Sequence, residues 1–334
     1  MYESFYGLSA KPFQLKPDPN FFFGSKGHKR AMAYLEYGLA QGEGFIVITG
    51  EVGAGKTTLV RNLFRKMEEK NILAAQLVST HLGSEDTLRM AAAAFGLPFK
   101  DASKADLLTS IEEYLRLCDR QGKRALLVVD EAQNLTPRAV EELRMLSNFQ
   151  TVDKSLLQTF LLGQPEFRKT LNGSEMEQLR QRVIATYHLG PMDASETRSY
   201  IEHRLNTVGW RGDPAFDEGA FVAIYNHTGG IPRKINTLCD RLLLMGCLEE
   251  LRAFGNSEVN EVINDIQQEF DLPASENNIQ APPATVPGKT ETHSSLENMD
   301  ERIAKMENSV ISVLDLLKQI LSLPRVNKEL SKRR

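Results

Sequence analysis

Short apolar runs alternate with amphipathic segments along the first 190 residues. Five runs have the length and aliphatic content of buried strands, and helical spacing of apolar residues separates them: 45–50, 73–79, 125–130, 158–163 and 183–189. Strands that alternate with helices in this way are typical of a mostly parallel sheet with helices on both faces. We therefore predict an α/β sheet domain over residues 1–190.

The strand pattern ends after Pro191. From Ser195 to Phe270 the apolar residues keep helical spacing, and glycine, proline and asparagine interrupt the pattern. This segment predicts an all-α lid of about four helices over residues 191–270.

The composition changes at Asp271. Four of the 14 prolines lie between Asp271 and Gly288, among Ser, Thr, Asn and Gln, and no Phe, Trp or Tyr follows Phe270. A segment without aromatic residues has little with which to build a core, so residues 271–295 are predicted to be a flexible linker.

A heptad pattern follows the linker over residues 296–323 and precedes a basic tail, 324–334. Its apolar positions step by three and four: Leu296, Met299, Ile303, Met306, Val310, Val313, Leu317 and Ile320. The pattern predicts an amphipathic, coiled-coil-like helix. Its apolar stripe widens in the second half, which favours contact with another copy, a partner protein or a membrane surface; folding back onto its own domains is the alternative.

Charge and composition exclude several classes. The formal net charge of -4 gives no global basic footprint, so no nucleic-acid partner is expected. The three cysteines lack CxxC spacing, which fits a reducing compartment. Neither a signal peptide nor a spanning stretch is evident, so the expected location is the cytoplasm, with membrane contact only peripheral.

The candidate chemistry begins with the segment GEVGAGKTT, which follows the first strand and opens a helix. It matches GxxxxGK[ST], a loop whose backbone N–H groups and helix N-terminus surround phosphates. The residues assigned to nucleotide binding are Gly50, Glu51, Val52, Gly53, Ala54, Gly55, Lys56, Thr57 and Thr58. Lys56 is expected at the β- and γ-phosphates and Thr57 at Mg²⁺, so the predicted ligands are ATP and Mg²⁺.

The run at 125–130 delivers Asp130 and Glu131 at its carboxyl end, where ligands bind in open α/β sheets. Asp130 is expected to hold Mg²⁺ through water, and Glu131 to orient and polarise an attacking water. Such a pair after a phosphate loop favours ATP hydrolysis over binding alone.

Three arginines are candidates for contact with the γ-phosphate. Arg233 stands just inside a helix that opens after a Gly-Gly break, from which it can reach back to the nucleotide. Arg180 and Arg182 precede the last strand, where a neighbouring subunit's γ-phosphate would lie. The sequence leaves open which of these two acts in trans, and surface salt bridges are the alternative for all three.

In this order and spacing the motifs resemble those of AAA+ ATPases. The block before and through the phosphate loop is more narrowly similar to the ExeA, or general secretion pathway protein A, group. Within that group it resembles the ATPases of PEP-CTERM/exosortase loci, which are associated with exopolysaccharide production and export. The resemblance covers roughly residues 1 to 268 and implies a five-stranded sheet, a helical lid and ATP bound between protomers of a ring or nucleotide-dependent oligomer. It also implies a sensor residue at Gln164, for which loop capping is the alternative.

The resemblance implies a cytoplasmic ATPase that drives or regulates a cell-envelope export or assembly process and contacts export proteins through the 296–323 helix. ExeA-type proteins typically continue into a membrane span and a peptidoglycan-binding module. This chain has a linker and a heptad segment there, so a role in peptidoglycan remodelling is not carried over. Two other functions remain open: a DNA-handling AAA+ ATPase, such as a transposition helper or initiator-like protein, and a nucleotide-gated scaffold.

Several single residues have simpler interpretations. Phe13 and residues 21–23 either flank the adenine or pack in the core. His28 and His81 are expected to make ordinary polar contacts, and Trp210 is expected in the lid core.

Overall fold

The computed structural model describes residues 1–67, 71–78 and 84–270 of the chain. Four predictions concern other residues and lie outside the described part: the linker 271–295, the heptad helix 296–323, the basic tail 324–334 and the role of His81.

The five apolar runs form one parallel sheet. Its strands are β1 Phe45–Gly50, β2 Ile72–Val78, β3 Arg124–Asp130, β4 Leu157–Gly163 and β5 Val183–Leu189. They are ordered β2-β3-β4-β1-β5 and every neighbouring pair is parallel. The predicted α/β class with a five-stranded sheet is therefore confirmed. Because the strands are parallel, the carboxyl ends of β1, β3 and β4 lie side by side at one edge of the sheet.

Helices cover both faces of this sheet. After the short α1 Tyr2–Phe5, they are α2 Lys26–Gln41, α3 Lys56–Met67, α4 Ser84–Ala94, α5 Lys104–Arg120, α6 Pro137–Leu146, α7 Glu166–Leu171 and α8 Glu177–Arg180. Alternate side chains of β1 point to opposite faces of the sheet. Phe45 and Val47 pack in the core that includes α4, α5 and α6, whereas Ile46 and Ile48 pack in the core beneath α2 and α3.

The lid contains the four predicted helices: α9 Ala194–Thr207, α10 Glu218–Thr228, α11 Pro232–Leu248 and α12 Asn256–Phe270. The all-α prediction missed two short parallel strands, β6 Ala215–Phe216 and β7 Ala253–Phe254. These strands join the loops that precede α10 and α12. Two residues are too few to show the alternation by which a strand is recognised in sequence.

The N-terminal segment packs with the lid, although the prediction grouped residues 1–190 with the sheet. Tyr2, Tyr6, Leu8 and Phe13 are buried in the same core as the lid helices. The Tyr6 hydroxyl donates to the carbonyl of Leu251 (3.1 Å), and the Tyr2 hydroxyl donates to the Asp240 carboxylate. The reason for the difference is that the aromatic side chains of this segment complete an apolar core that the four lid helices alone leave open.

Two smaller expectations concern the lid and the membrane. Trp210 packs against the lid core and is partly buried. Among the described residues, no helix has both the length and the apolar character that a membrane crossing requires.

Candidate functional site

A cleft of about 390 Å³ lies at the carboxyl edge of the sheet. Its walls come from the phosphate loop, the end of β3, residues 14–23, and helices α9 and α11. The volume lies within the range of small-molecule sites, about 300–1,000 Å³. Sheet, lid and N-terminal segment therefore enclose one site.

Two glycines of the phosphate loop have backbone conformations that side chains rarely adopt. Gly53 has φ +82° and Gly55 has φ +95°. A Cβ at Gly53 would collide with Cβ of Arg233, and a Cβ at Gly55 would lie 2.8 Å from Nε2 of His28. Glycine is thus required at both positions, by backbone conformation and by close packing.

Lys56 is buried and bonds to its own loop. Its Nζ donates to the carbonyls of Gly50 (2.7 Å) and Glu51 (3.0 Å). Burial lowers the pKa of Lys56, while the nearby carboxylates of Glu131 and Asp130 oppose this shift. The ammonium is therefore desolvated and beside the loop that is expected to hold phosphates.

Thr57 and Asp130 meet across the cleft floor. The Thr57 hydroxyl donates to Oδ2 of Asp130 (2.8 Å), and Oδ1 of Asp130 accepts from the N–H of Glu131 (3.0 Å). A hydroxyl and a carboxylate are the hard oxygen donors that Mg²⁺ prefers, and Mg²⁺ usually retains waters and phosphate oxygens besides. These two residues fit the predicted metal site.

Glu131 is held by two side-chain amides. Its backbone is left-handed, with φ 55° and ψ 43°. Its Oε2 accepts from Nε2 of Gln133 (2.6 Å) and from Nε2 of Gln164 (3.3 Å). Gln133 is oriented in turn, because its Oε1 accepts from the N–H of Gln164 (2.9 Å). The structure thus brings Gln164 to Glu131; its role as a sensor stays a prediction.

Arg233 reaches the phosphate loop from the lid. Its N–H donates to the carbonyl of Gly53 (3.2 Å), and its side chain lines the cleft. It lies in the first turn of α11, next to Pro232 at the helix start. The structure therefore brings this arginine to the site within the same chain.

Arg180 and Arg182 lie away from the cleft. The carbonyl of Arg182 accepts from the N–H of Phe45, at the amino end of β1, whereas the phosphate loop leaves the carboxyl end, about 17 Å away along the strand. Arg180 donates to the carbonyls of Leu171 (2.7 Å) and Gly173 (2.8 Å). Arg182 donates one bond to the Ser147 hydroxyl (2.8 Å).

The aromatic residues of the N-terminal segment divide between core and cleft. Phe13 is 1% exposed in the lid core, so its core interpretation holds. Residues 21–23 line the cleft. The ring of Phe22 meets His28 edge-on, with centroids 5.8 Å apart.

His28 makes a polar contact, as the sequence suggested, and it also borders the phosphate loop. It is 6% exposed, it lines the cleft, and its Nδ1 lies 2.7 Å from the hydroxyl of Ser25. Burial lowers the pKa of His28, against smaller opposing effects of the Ala54 backbone and Glu196. The neutral ring therefore supports the phosphate loop from α2.

Sequence reasoning did not single out several polar residues of this site, among them Gln133, Tyr200, Arg204 and Asn236. Gln133 stands two positions after Glu131, and Asn236 stands three positions after Arg233. Their closeness to these motif residues could have marked both as site candidates. Tyr200 and Arg204 lie on α9, and nothing in their local sequence marks them.

The comparisons with known proteins agree with this architecture. A family model described as an AAA domain matches residues 39–171. General secretion pathway protein A of Aeromonas hydrophila is 40% identical over 245 residues. That match covers 73% of this chain and 44% of the relative, so the chain spans less than half of the relative's length.

Solved structures to which the chain is similar include Cdc6p and an ORC2 protein. Cdc6p from Pyrobaculum aerophilum matches with a TM-score of 0.63 at 15% identity, over 78% of this chain and 74% of its own. The ORC2 protein of Aeropyrum pernix, solved as ADPNP–ADP complexes, matches with a TM-score of 0.59 at 16% identity. The match covers 77% of this chain and 72% of the ORC2 chain. At such identities the likeness shows the fold alone. The chain has the P-loop AAA+ fold, and the similarity to the secretion protein supports the predicted resemblance; the narrower PEP-CTERM assignment stays a prediction.

Proposed function

We propose that the chain is an AAA+ ATPase that hydrolyses ATP with Mg²⁺. The observation that carries the proposal is the convergence of Lys56, Thr57 and Glu131 in one cleft. Asp130 accepts from Thr57, and Arg233 reaches the phosphate loop from the lid. Those residue types supply what phosphoryl transfer needs: positioning and charge neutralisation.

The residues have separate tasks in this proposal. Lys56 exchanges its bonds to loop carbonyls for bonds to phosphate oxygens. Thr57 and Asp130 hold Mg²⁺, which neutralises charge on the phosphates. Glu131 orients the attacking water, and Arg233 adds a fixed positive charge at the phosphates.

A complete site requires a second copy in this proposal. Arg180 and Arg182 cannot reach the phosphate loop of their own chain, but they lie beside β5, an edge strand of the sheet. Among the described residues, the Arg180 side chain donates two hydrogen bonds to backbone carbonyls, whereas the Arg182 side chain donates one, to the Ser147 hydroxyl, and so has less to break on turning to a neighbouring subunit. We therefore assign the trans role to Arg182 and expect self-association in a ring or nucleotide-dependent oligomer.

We further propose that hydrolysis serves a cell-envelope export or assembly process, including exopolysaccharide or PEP-CTERM-associated secretion. Support comes from the similarity to General secretion pathway protein A. The DNA-handling alternative is supported only by the similarity of the fold to Cdc6p and ORC2, and a shared fold does not imply a shared activity. The formal net charge of -4 does not favour binding to DNA.

The ATPase proposal is tested by Lys56→Ala and Glu131→Gln in the full chain. Lys56→Ala should abolish ATP binding, because its ammonium holds the phosphates. Glu131→Gln should bind ATP within about twofold of the parent and lose at least about a hundredfold in hydrolysis, because it removes only the base that orders water. Titration with ATP and steady-state phosphate release measure the two effects.

Matched controls are Lys123→Ala and Glu261→Gln, which remove the same groups at exposed positions. Both should behave like the parent. Equal loss of ATP binding in Lys56→Ala and Glu131→Gln would contradict the division of tasks. For the export role, a deletion strain should regain polysaccharide export with the parent gene and not with Glu131→Gln; full rescue by the variant would refute that role.

A further inference from the structure

A chain of buried hydrogen bonds joins three residues that line the cleft. Arg204 Nη1 donates to the Tyr200 hydroxyl (2.8 Å), which in turn donates to Oδ1 of Asn236 (2.8 Å). Arg204, Tyr200 and Asn236 are 4%, 6% and 6% exposed, and all three line the cleft. None of these bonds is used in the hydrolysis chemistry proposed above.

The direction of this chain follows from its donors and acceptors. A guanidinium can only donate, so the Tyr200 oxygen accepts the bond from Arg204. Burial raises the pKa of Tyr200, so the phenol keeps its hydrogen at neutral pH. In the structure that hydrogen goes to the amide oxygen Oδ1 of Asn236.

In this orientation the Nδ2 group of Asn236 is not used in the chain of hydrogen bonds. With Oδ1 on Tyr200, Nδ2 points elsewhere, and among the described residues it has no hydrogen-bond partner. Nδ2 is not fully enclosed by protein, and Asn236 lines the cleft, so this donor is open to a bound molecule. Nδ2 is therefore a group that a bound molecule is suited to satisfy.

The position of Asn236 indicates which part of a nucleotide it meets. It stands one helical turn after Arg233 on α11, and so on the same face but farther from the phosphate loop. Aromatic rings line the same cleft: the Phe23 ring centroid lies 5.8 Å from that of Tyr200, and the Arg204 guanidinium lies 4.9 Å from the Phe21 centroid. Flat apolar rings and a single donor are suited to a heterocyclic base.

We propose that Asn236 reads the nucleotide base by donating from Nδ2 to an unprotonated ring nitrogen, and that Tyr200 and Arg204 position its amide. The inference rests on the proposed ATP site. In this proposal Arg204 does not contact the base. No ion pair between described residues includes Arg204, and its charge strengthens the hydrogen bond that Tyr200 donates to Asn236.

The test compares ATP with 1-deaza-, 3-deaza- and 7-deaza-ATP, each of which replaces one ring nitrogen by C–H. For the full-length protein we expect one analogue to bind about tenfold more weakly than ATP, because the amide loses its acceptor. In Asn236→Leu, ATP itself should bind about tenfold more weakly, and the penalty for that analogue should disappear.

Inorganic tripolyphosphate is the probe without a base. Asn236→Leu should bind it like the parent, whereas Lys56→Ala should not bind it. Asn264→Leu, the same substitution at an exposed position of α12, should retain both the parent affinity for ATP and the analogue penalty. Tyr200→Phe should bind tripolyphosphate normally and show a reduced analogue penalty, because the amide loses its fixed orientation.

The outcomes separate this inference from the proposed function. A parent that binds neither ATP nor tripolyphosphate refutes the site and the inference together. A parent that binds ATP without discriminating any analogue, or an Asn236→Leu variant that keeps the discrimination, refutes the base contact alone. If Asn236→Leu fails to fold, Tyr200→Phe decides the positioning role, and an unchanged analogue penalty in that variant refutes it.

Discussion

At the scale of single residues, the most constrained group in the cleft is the Glu131 carboxylate. Its left-handed backbone is unusual for a residue with a side chain, and such conformations persist where the surrounding structure enforces them. Its carboxylate is held by the amides of Gln133 and Gln164, which both donate to the same oxygen. Gln133 is therefore a positioning residue for Glu131.

Replacing Gln133 tests that role. Gln133→Met keeps the length of the side chain and removes both of its hydrogen bonds. We expect kcat to fall about tenfold to a hundredfold, because a misplaced catalytic group loses near-attack geometry. The Kd for ATP should change less than twofold, since Gln133 does not line the cleft. Steady-state hydrolysis and ATP titration provide the two numbers.

The control for this substitution is Gln268→Met on the exposed side of α12. It should leave kcat unchanged. A Gln133→Met variant with parental kcat, or with equal losses in kcat and in ATP affinity, would show that Gln133 does not act through Glu131.

At the scale of elements, the N-terminal segment connects lid and sheet across the site. Its first residues are buried in the lid core, and residues 14–23 then pass along the cleft before α2 begins. Arg61 of α3 donates to the carbonyl of Pro17 (2.9 Å), and Arg204 of α9 donates to the carbonyl of Gln14 (3.4 Å). The segment is therefore bonded to both domains at the mouth of the cleft.

If the segment belongs to the lid core, its loss should destabilise the lid. Tyr2 is 3% exposed, and Tyr2→Ala should lower the free energy of unfolding by about 3 kcal/mol, as large-to-small core substitutions do. Tyr37→Ala should cost less than about 0.5 kcal/mol, because Tyr37 on α2 is 54% exposed. Trp210 is the one tryptophan of the chain, so its fluorescence during chemical denaturation reports on the lid.

Similar stabilities for the two tyrosine variants would mean that the segment contributes nothing to the lid core. A Tyr2→Phe variant narrows the cause, because it retains the packing and removes only the hydrogen bond to Asp240. The free energy of unfolding of Tyr2→Phe should lie between that of the parent and that of Tyr2→Ala.

At the scale of the whole molecule, the site is incomplete within one chain if Arg182 acts in trans. Arg182→Ala should bind ATP normally and hydrolyse it at least about a hundredfold more slowly, because a trans arginine stabilises charge in the transition state. Mixing it with Glu131→Gln should restore part of the activity, since each variant supplies the half-site that the other lacks. Phosphate release from mixtures of defined ratio measures the recovery.

Arg120→Ala, at an exposed position near the end of α5, should hydrolyse ATP like the parent. Mixed oligomers can be shown to form with differently tagged chains. If they form and no activity returns, Arg182 acts within its own chain or only supports the fold.

Local pattern was sufficient for the elements and for the phosphate-binding core of the site. Strand and helix periods follow from which side chains face the interior, so the five strands and the four lid helices could be located without coordinates. The phosphate loop and the pair Asp130 and Glu131 could be located because their geometry is set by neighbouring residues and by the strand that each follows.

Tertiary contacts alone decided which groups meet across the chain. Gln133 bonds to Gln164 because β3 and β4 are adjacent, and Tyr2 joins Asp240 across 238 positions of sequence. The orientation of Asn236 depends on two residues of another helix. A hydrogen bond has a direction and one particular partner, whereas periodicity reports only that a face is apolar. Sequence therefore predicted where the phosphates would bind, and only the folded chain determined what orients Glu131 and which amide faces the rest of the cleft.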